Sequence, residues 1–216
     1  MKRREFQTAL AGMVGAASVA PVWAQTGAAA YRAGRDYQLV DPQAPVDAPK
    51  GKIEVVEFFW YSCPHCYAFD PALEAWLKKL PKDVVFKRVP VAFRDDFVPQ
   101  QRLYYALEAM GLVDKLHAKV FDAIHVQKQR LARADDIAPW IASQGVNEAK
   151  FMEQYNSFSA TTKARRAVQL QDAYHIAGVP TLGIAGRFFT DGESAGNMQR
   201  ALQVTDALIA QVRAGR

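Results

Sequence analysis

Ile53-Glu54-Val55-Val56-Glu57-Phe58-Phe59-Trp60-Tyr61, followed at once by Ser62-Cys63-Pro64-His65-Cys66, is the stretch on which the reading of this chain turns. The first nine residues are β-branched and aromatic with little polar relief, which predicts a strand buried on both faces. Ser62-Cys63-Pro64 ends that strand and opens a helix, because proline suits the first helical position, where its missing N–H would be unpaired anyway. Phe69, Leu73, Trp76, Leu77 and Leu80 then recur at helical spacing. Pro71 is expected to kink this helix, since it cannot donate to the Tyr67 carbonyl. Val84–Val91 reads as a second strand, so the unit is strand, helix, strand with a parallel pair. Both cysteines fall at the strand-to-helix turn.

Working outward, residues 41–51 hold Pro42, Pro45, Pro49 and Gly51 and read as a loop, and residues 25–36 as a flexible N-terminal stretch. From about residue 99 to 177 the pattern is helical. Leu103, Ala106, Leu107 and Met110 share a face that stops at Gly111, and Val113, Leu116, Val120, Phe121 and Ile124 form the next stripe. Asp135–Gln144 ends at Gly145, Asn147 caps a helix carrying Phe151 and Tyr155, and a long helix runs from about Ala160 to Ala177 before Gly178. Thr181–Ile184 and Phe188–Thr190 flank Ala185-Gly186-Arg187 as a hairpin. A last helix is expected over about Ser194–Val212, with Leu202, Thr205, Leu208, Ile209 and Val212 inward. The order βαβ, helices, ββα describes one α/β domain whose two halves are separated by a helical block.

The chain has 216 residues, half of them hydrophobic, enough for one domain carrying an insertion. Lys2, Arg3 and Arg4, the small apolar run 8–20 and Val22-Trp23-Ala24 have the order of a secretory signal, with cleavage expected after Ala24. Arg3-Arg4 followed by Phe6 also resembles a twin-arginine signal, so the Sec and twin-arginine routes both stay open. Without residues 1–24, Lys+Arg falls from 27 to 24 and Asp+Glu from 22 to 21, a net charge of 24 − 21 = +3. That balance, with no basic run, gives no footprint for nucleic acid.

There are only two cysteines, and a loop as short as Cys63–Cys66 does little to restrain an unfolded chain. Redox chemistry or metal binding is left. The thiolate is the attacking species in disulfide exchange. At a helix start, Cys63 faces unpaired backbone N–H groups and the positive end of the helix dipole, and His65 adds a polar or cationic neighbour. Cys66, one turn inside, is shielded, giving an attacking Cys63 and a resolving partner. For a metal, Cys63, Cys66 and the intervening His65 offer at most three ligands in poor chelate geometry, where structural zinc wants four. His117, His125 and His175 read as surface or packing residues. Glu57 shares the strand face of Ile53, Val55 and Phe59, where a carboxylate is costly without a partner or a task.

Phe58-Phe59-Trp60-Tyr61-Ser62-Cys63-Pro64-His65-Cys66-Tyr67-Ala68-Phe69 resembles the active-site segment of the DsbA family of periplasmic disulfide oxidases. Gly178-Val179-Pro180-Thr181 resembles that family's cis-proline loop, and the helical block between them resembles its insertion into a thioredoxin fold. The resemblance spans essentially all of the chain after residue 24. It implies a thioredoxin-like α/β fold with an inserted α-helical subdomain: a signal peptide over 1–24, the two halves of the thioredoxin-like domain over 25–96 and 164–216, and the insertion over 97–163. It implies catalytic Cys63 and Cys66, supported by Pro64, His65, Val179, Pro180 and Glu57, the last as a proton relay beneath the second cysteine. Asp70 and Arg88 match a charged pair near the family's buried acid, although the family commonly has Glu and Lys there. Trp60 and Tyr61 are expected to offer apolar surface to clients and Phe69 to be core. The implied activity is a protein disulfide oxidoreductase of the periplasm. It would use no cofactor beyond the Cys63–Cys66 disulfide, act on exported proteins with free thiols, and be reoxidised by a membrane quinone reductase of the DsbB type. The other classes are a disulfide reductase or isomerase, whose dimerisation region has no counterpart here, and a non-enzymatic metal- or client-binding protein.

Overall fold

The computed structural model describes residues 31–215; the expected signal segment and residues 25–30 lie outside that range. The β-branched and aromatic run forms a strand over Ile53–Phe59 with every residue buried, and the chain turns at Trp60–Ser62 rather than continuing extended to Tyr61. Four more strands complete one sheet in chain order: β1 (Gln38–Leu39), β2 (Ile53–Phe59), β3 (Val84–Pro90), β4 (Thr181–Ile184) and β5 (Phe188–Asp191). The spatial order is β1-β5-β4-β2-β3. β2 pairs parallel with β3, setting Glu57 opposite Arg88, and antiparallel with β4, setting Phe58 opposite Thr181. Two cysteine-bearing and proline-bearing segments far apart in sequence are thereby brought to one end of the sheet.

Helix α1 (Pro64–Leu77) follows β2 directly. Pro71 lies within it on the exposed face, and the helix runs on past it. The insertion is α2 (Val98–Ala109), α3 (Val113–His125), α4 (Ala134–Ser143), α5 (Glu148–Tyr155) and α6 (Phe158–Ala173). Gly111 and Gly145 stop α2 and α4 at positive φ, and Asn147 caps α5 by accepting from the Lys150 N–H at 2.9 Å. The division expected between 163 and 164 falls inside α6.

The chain leaves α6 earlier than Ala177 because Tyr174 is drawn into the core. Its ring meets Phe58 edge-on, and its hydroxyl accepts from the Gly186 N–H at 2.8 Å. A Cβ on Gly183 would lie 2.6 Å from that ring, so only glycine fits there. The expected final helix is two, α7 (Gly192–Ala195) and α8 (Met198–Arg213). Gly196 breaks them at φ 89°, and Asn197 caps the second by accepting from Arg200 N–H. Residues 31–36, part of the stretch 25–36 expected to be loose, are tied to the domain together with the residues that follow. β1 pairs with β5, Tyr37 packs edge-on against Phe188, and buried Asp36 holds Arg200 at 2.7 Å.

One apolar cluster joins β2 to α2, α3 and α6, and a second joins the other part of the sheet to α8. The result is a thioredoxin-like α/β fold with a helical insertion. Among the described residues, no helix is long and apolar enough to cross a membrane.

Candidate active site

Cys63 is the N-cap of α1, with extended backbone, and Pro64 is the first helical residue. This local geometry puts the sulfur where a capping oxygen normally sits, so the Cys63 Sγ accepts the Cys66 backbone N–H at 3.2 Å. Cys66 is fully buried one turn in, whereas Cys63 keeps 6% exposure. The thiols are therefore unequal. Cys63 is lowered from 9.0 to about 6, first by the hydrogen bond from the Cys66 thiol and then by the backbone N–H groups of Cys66 and His65, against the cost of burial. The charge of exposed His65 contributes last. Cys66 is pushed well up by burial and by giving its hydrogen bond to Cys63.

The Val179–Pro180 peptide is cis, and the Val179 carbonyl stands 3.4 Å from Cys63 Sγ, accepting from it while the thiol is protonated. Beside this loop an open groove of about 490 Å³ is lined by His65, Val179, Pro180, Thr181, Glu193 and Met198, among others.

Beneath the pair lies buried charge. Glu57 is 1% exposed and accepts from Arg88 Nε at 3.0 Å. Arg88 also reaches Asp70 (3.6 Å) and Glu74, so the Asp70–Arg88 pair is part of the buried cluster. Burial pushes Glu57 up to about 8, opposed by the Arg88 charge and aided by Asp70 and Glu74. Glu57 is thus a paired acid whose carboxyl is held well above the usual carboxylate range by burial.

The insertion grips the strand-to-helix turn at three points not foreseen as site residues. Gln100 accepts from the Ser62 N–H at 3.2 Å and donates to Ser62 Oγ at 2.7 Å. His125 meets the Tyr61 carbonyl at 2.8 Å and stacks on Tyr67, and His117 lies 2.9 Å from the Tyr61 hydroxyl. The signal was faint but present, since His117 sits at i+4 from Val113 and i−4 from Phe121, on the apolar stripe of α3. Tyr61 is 1% exposed and offers no surface to a client, and Phe69 is core as expected. Trp60 keeps partial exposure and stacks on Phe97 at 4.0 Å, with Phe93 beside it at 38% exposed. His175 lies at the end of α6, away from these contacts, in left-handed backbone.

A sheet that presents two unequal thiols at a helix start, opposite a cis-proline loop, defines a thiol–disulfide oxidoreductase. Residues 54–203 match the DSBA-like thioredoxin domain model. The thiol:disulfide interchange protein DsbA of Burkholderia cepacia is 45% identical over 190 residues, 88% of this chain and 90% of that one. The crystal structure of Pseudomonas aeruginosa DsbA superposes with a TM-score of 0.82 at 41% identity, covering 86% of this chain and 96% of that one. Xylella fastidiosa DsbA superposes at 0.79 with 32% identity, covering 85% and 98%. The chain belongs to the DSBA-like thioredoxin family.

Proposed function

We propose that this chain oxidises dithiols in exported proteins as they fold, working in the periplasm after removal of residues 1–24. The observation that carries this is the Cys63 sulfur at the N-cap of α1, accepting the Cys66 N–H, with Cys66 sealed below it. A client thiolate attacks Cys63 of the oxidised pair. The Cys63–Cys66 bond breaks, a client–Cys63 bond forms, and the electron pair leaves on Cys66. Glu57, protonated near neutral pH, gives the departing Cys66 thiolate its proton. A second client thiolate then displaces Cys63, which leaves as the stabilised thiolate. Two electrons have passed from client to protein, and the client carries the new disulfide.

The Val179 backbone and the adjoining groove hold the client chain in extended form, and the Trp60–Phe97–Phe93 surface adds apolar grip. His65 and Pro64 shape the loop between the thiols. The pair is its own redox group, and a membrane quinone reductase of the DsbB type restores it. The test mixes oxidised protein with a small secreted protein that has been reduced and unfolded. Client disulfides should appear in step with loss of the Cys63–Cys66 bond, and Cys63→Ser should abolish the transfer. Oxidised protein that leaves client thiols untouched would refute the proposal.

A further inference from the structure

His117 comes from the insertion, yet it touches the charge cluster beneath the thiols. It is 5% exposed. Its Nδ1 lies 2.9 Å from the Tyr61 hydroxyl and its Nε2 faces Asp70 Oδ1 across 3.3 Å. Burial lowers the imidazole pKa and raises that of the Tyr61 phenol well above its ordinary value. A protonated phenol donates to Nδ1, which leaves the ring proton on Nε2; Nε2 and Asp70 Oδ1 face each other across 3.3 Å without closing a hydrogen bond. The same Asp70 oxygen stands 3.6 Å from Arg88 Nη2, while Arg88 Nε holds Glu57 at 3.0 Å. One guanidinium is therefore shared by Glu57, Glu74 and Asp70, and the His117 N–H supplies Asp70 with a second positive neighbour.

We propose that His117 is a positioning residue. By facing its polarised Nε2–H to Asp70 it lessens the pull of Asp70 on Arg88, keeps Arg88 on Glu57, and so sets the pH range over which the Glu57 carboxyl exchanges a proton with Cys66. The inference rests on the reading of Glu57 given above. The groups facing Glu57 are Arg88 from β3, Asp70, Glu74 and Cys66 from α1, Tyr104 from α2, and Tyr61 from the turn after β2, while His117 from α3 reaches the cluster through Asp70. Of these, Arg88 is the favourable partner whose position His117 controls. Removing the His117 N–H leaves Asp70 to draw the guanidinium, and Glu57 then holds its proton more tightly.

The experiment uses the full chain carrying glutathione on Cys63. Cys66 attacks the Cys63 sulfur, the internal disulfide forms, and glutathione leaves as the thiol. The release rate is followed from pH 5 to 9 in the parent and in Glu57→Gln, His117→Leu, His117→Gln and Asp70→Asn. The parent should show an inflection in the neutral range that Glu57→Gln lacks. His117→Leu should move it upward by roughly half a pH unit, a three-fold change in the acid constant. His117→Gln, whose carboxamide has both an acceptor for Tyr61 and a donor for Asp70, should restore it. Asp70→Asn should move the inflection down through its charge alone, and adding His117→Leu to it should produce no further rise, whereas a rise there overturns the route through Asp70; if the Leu variant does not fold, His117→Phe, which fills the same space without a ring N–H, is read in its place. An inflection that stays put or falls in His117→Leu, even with uniformly slower release, overturns the role of His117 alone. An inflection that survives in Glu57→Gln overturns the Glu57 assignment, and the inference with it.

Discussion

Oxidising the Cys63–Cys66 pair removes a thiolate that the folded state stabilises, so the two redox forms must respond differently to pH. The Cys63 pKa is depressed on folding, from 9.0 to about 6. A depressed acid adds stability that is complete above the unfolded pKa and is lost as pH falls through the folded one. By linkage the thiolate contributes nearly nothing at pH 5, about 1.4 kcal/mol at pH 7 and about 2.7 kcal/mol at pH 8. Solvent screening at this helix start on the rim of an open groove cuts these figures to roughly half. Whatever closure of so short a loop contributes to the oxidised form is the same at every pH and drops out of a comparison across pH. Glu57 and the surface ion pairs are common to both forms and cancel. Urea melts of reduced and oxidised protein at pH 5, 6, 7 and 8 should therefore show the reduced form gaining on the oxidised by about 1–2 kcal/mol across the range. A constant difference, or one that shrinks as pH rises, would refute a fold-stabilised Cys63 thiolate.

Three further outcomes follow from the same geometry. Glu57→Gln should slow oxidation of a client dithiol. It should also stabilise the fold increasingly as pH rises from 4.5 towards 8, because a raised carboxyl favours folding below its unfolded pKa and loses that advantage through its folded value; melts of equal midpoint at pH 8 would show that Glu57 is not burdened by burial. Arg88→Met should cost ~3 kcal/mol in denaturant melts at pH 7, since it leaves Glu57 and Asp70 buried without their cation; a loss under ~1 kcal/mol would mean the cluster is open to water. Cys66→Ala should accumulate mixed disulfides between Cys63 and clients or glutathione on non-reducing gels; free Cys63 under the same conditions would show that another group resolves the adduct.

The fold was legible where pattern and punctuation agree. Ile53–Phe59 is apolar enough to be called a central strand, Pro64 marks the helix start, and Ala185-Gly186-Arg187 separates two short strands cleanly. What failed to show was tertiary. Tyr61 is drawn inward because the chain turns after Phe59, and the turn is then pinned from α2 and α3 by Gln100, His117 and His125, which no local rule links to residues 61–62. β2 contains two acids, and both are buried. Glu54 faces Lys87 and the Asp47 N–H, while Glu57 faces Arg88 and the cluster beneath the cysteines, a difference that alternation alone leaves without consequence. The end of α6 was misjudged because Tyr174 gains more from filling the space above Gly183 than helical periodicity reveals.

The central claim is that the Cys63–Cys66 disulfide is a donor, held poised by a stabilised thiolate. Equilibrating the protein with defined ratios of reduced and oxidised glutathione, and quantifying the pair by acid trapping, tests it most directly. The account predicts that the pair stays largely reduced until oxidised glutathione is in clear excess, making it more oxidising than glutathione itself. A pair that is already oxidised in mostly reduced glutathione would contradict it.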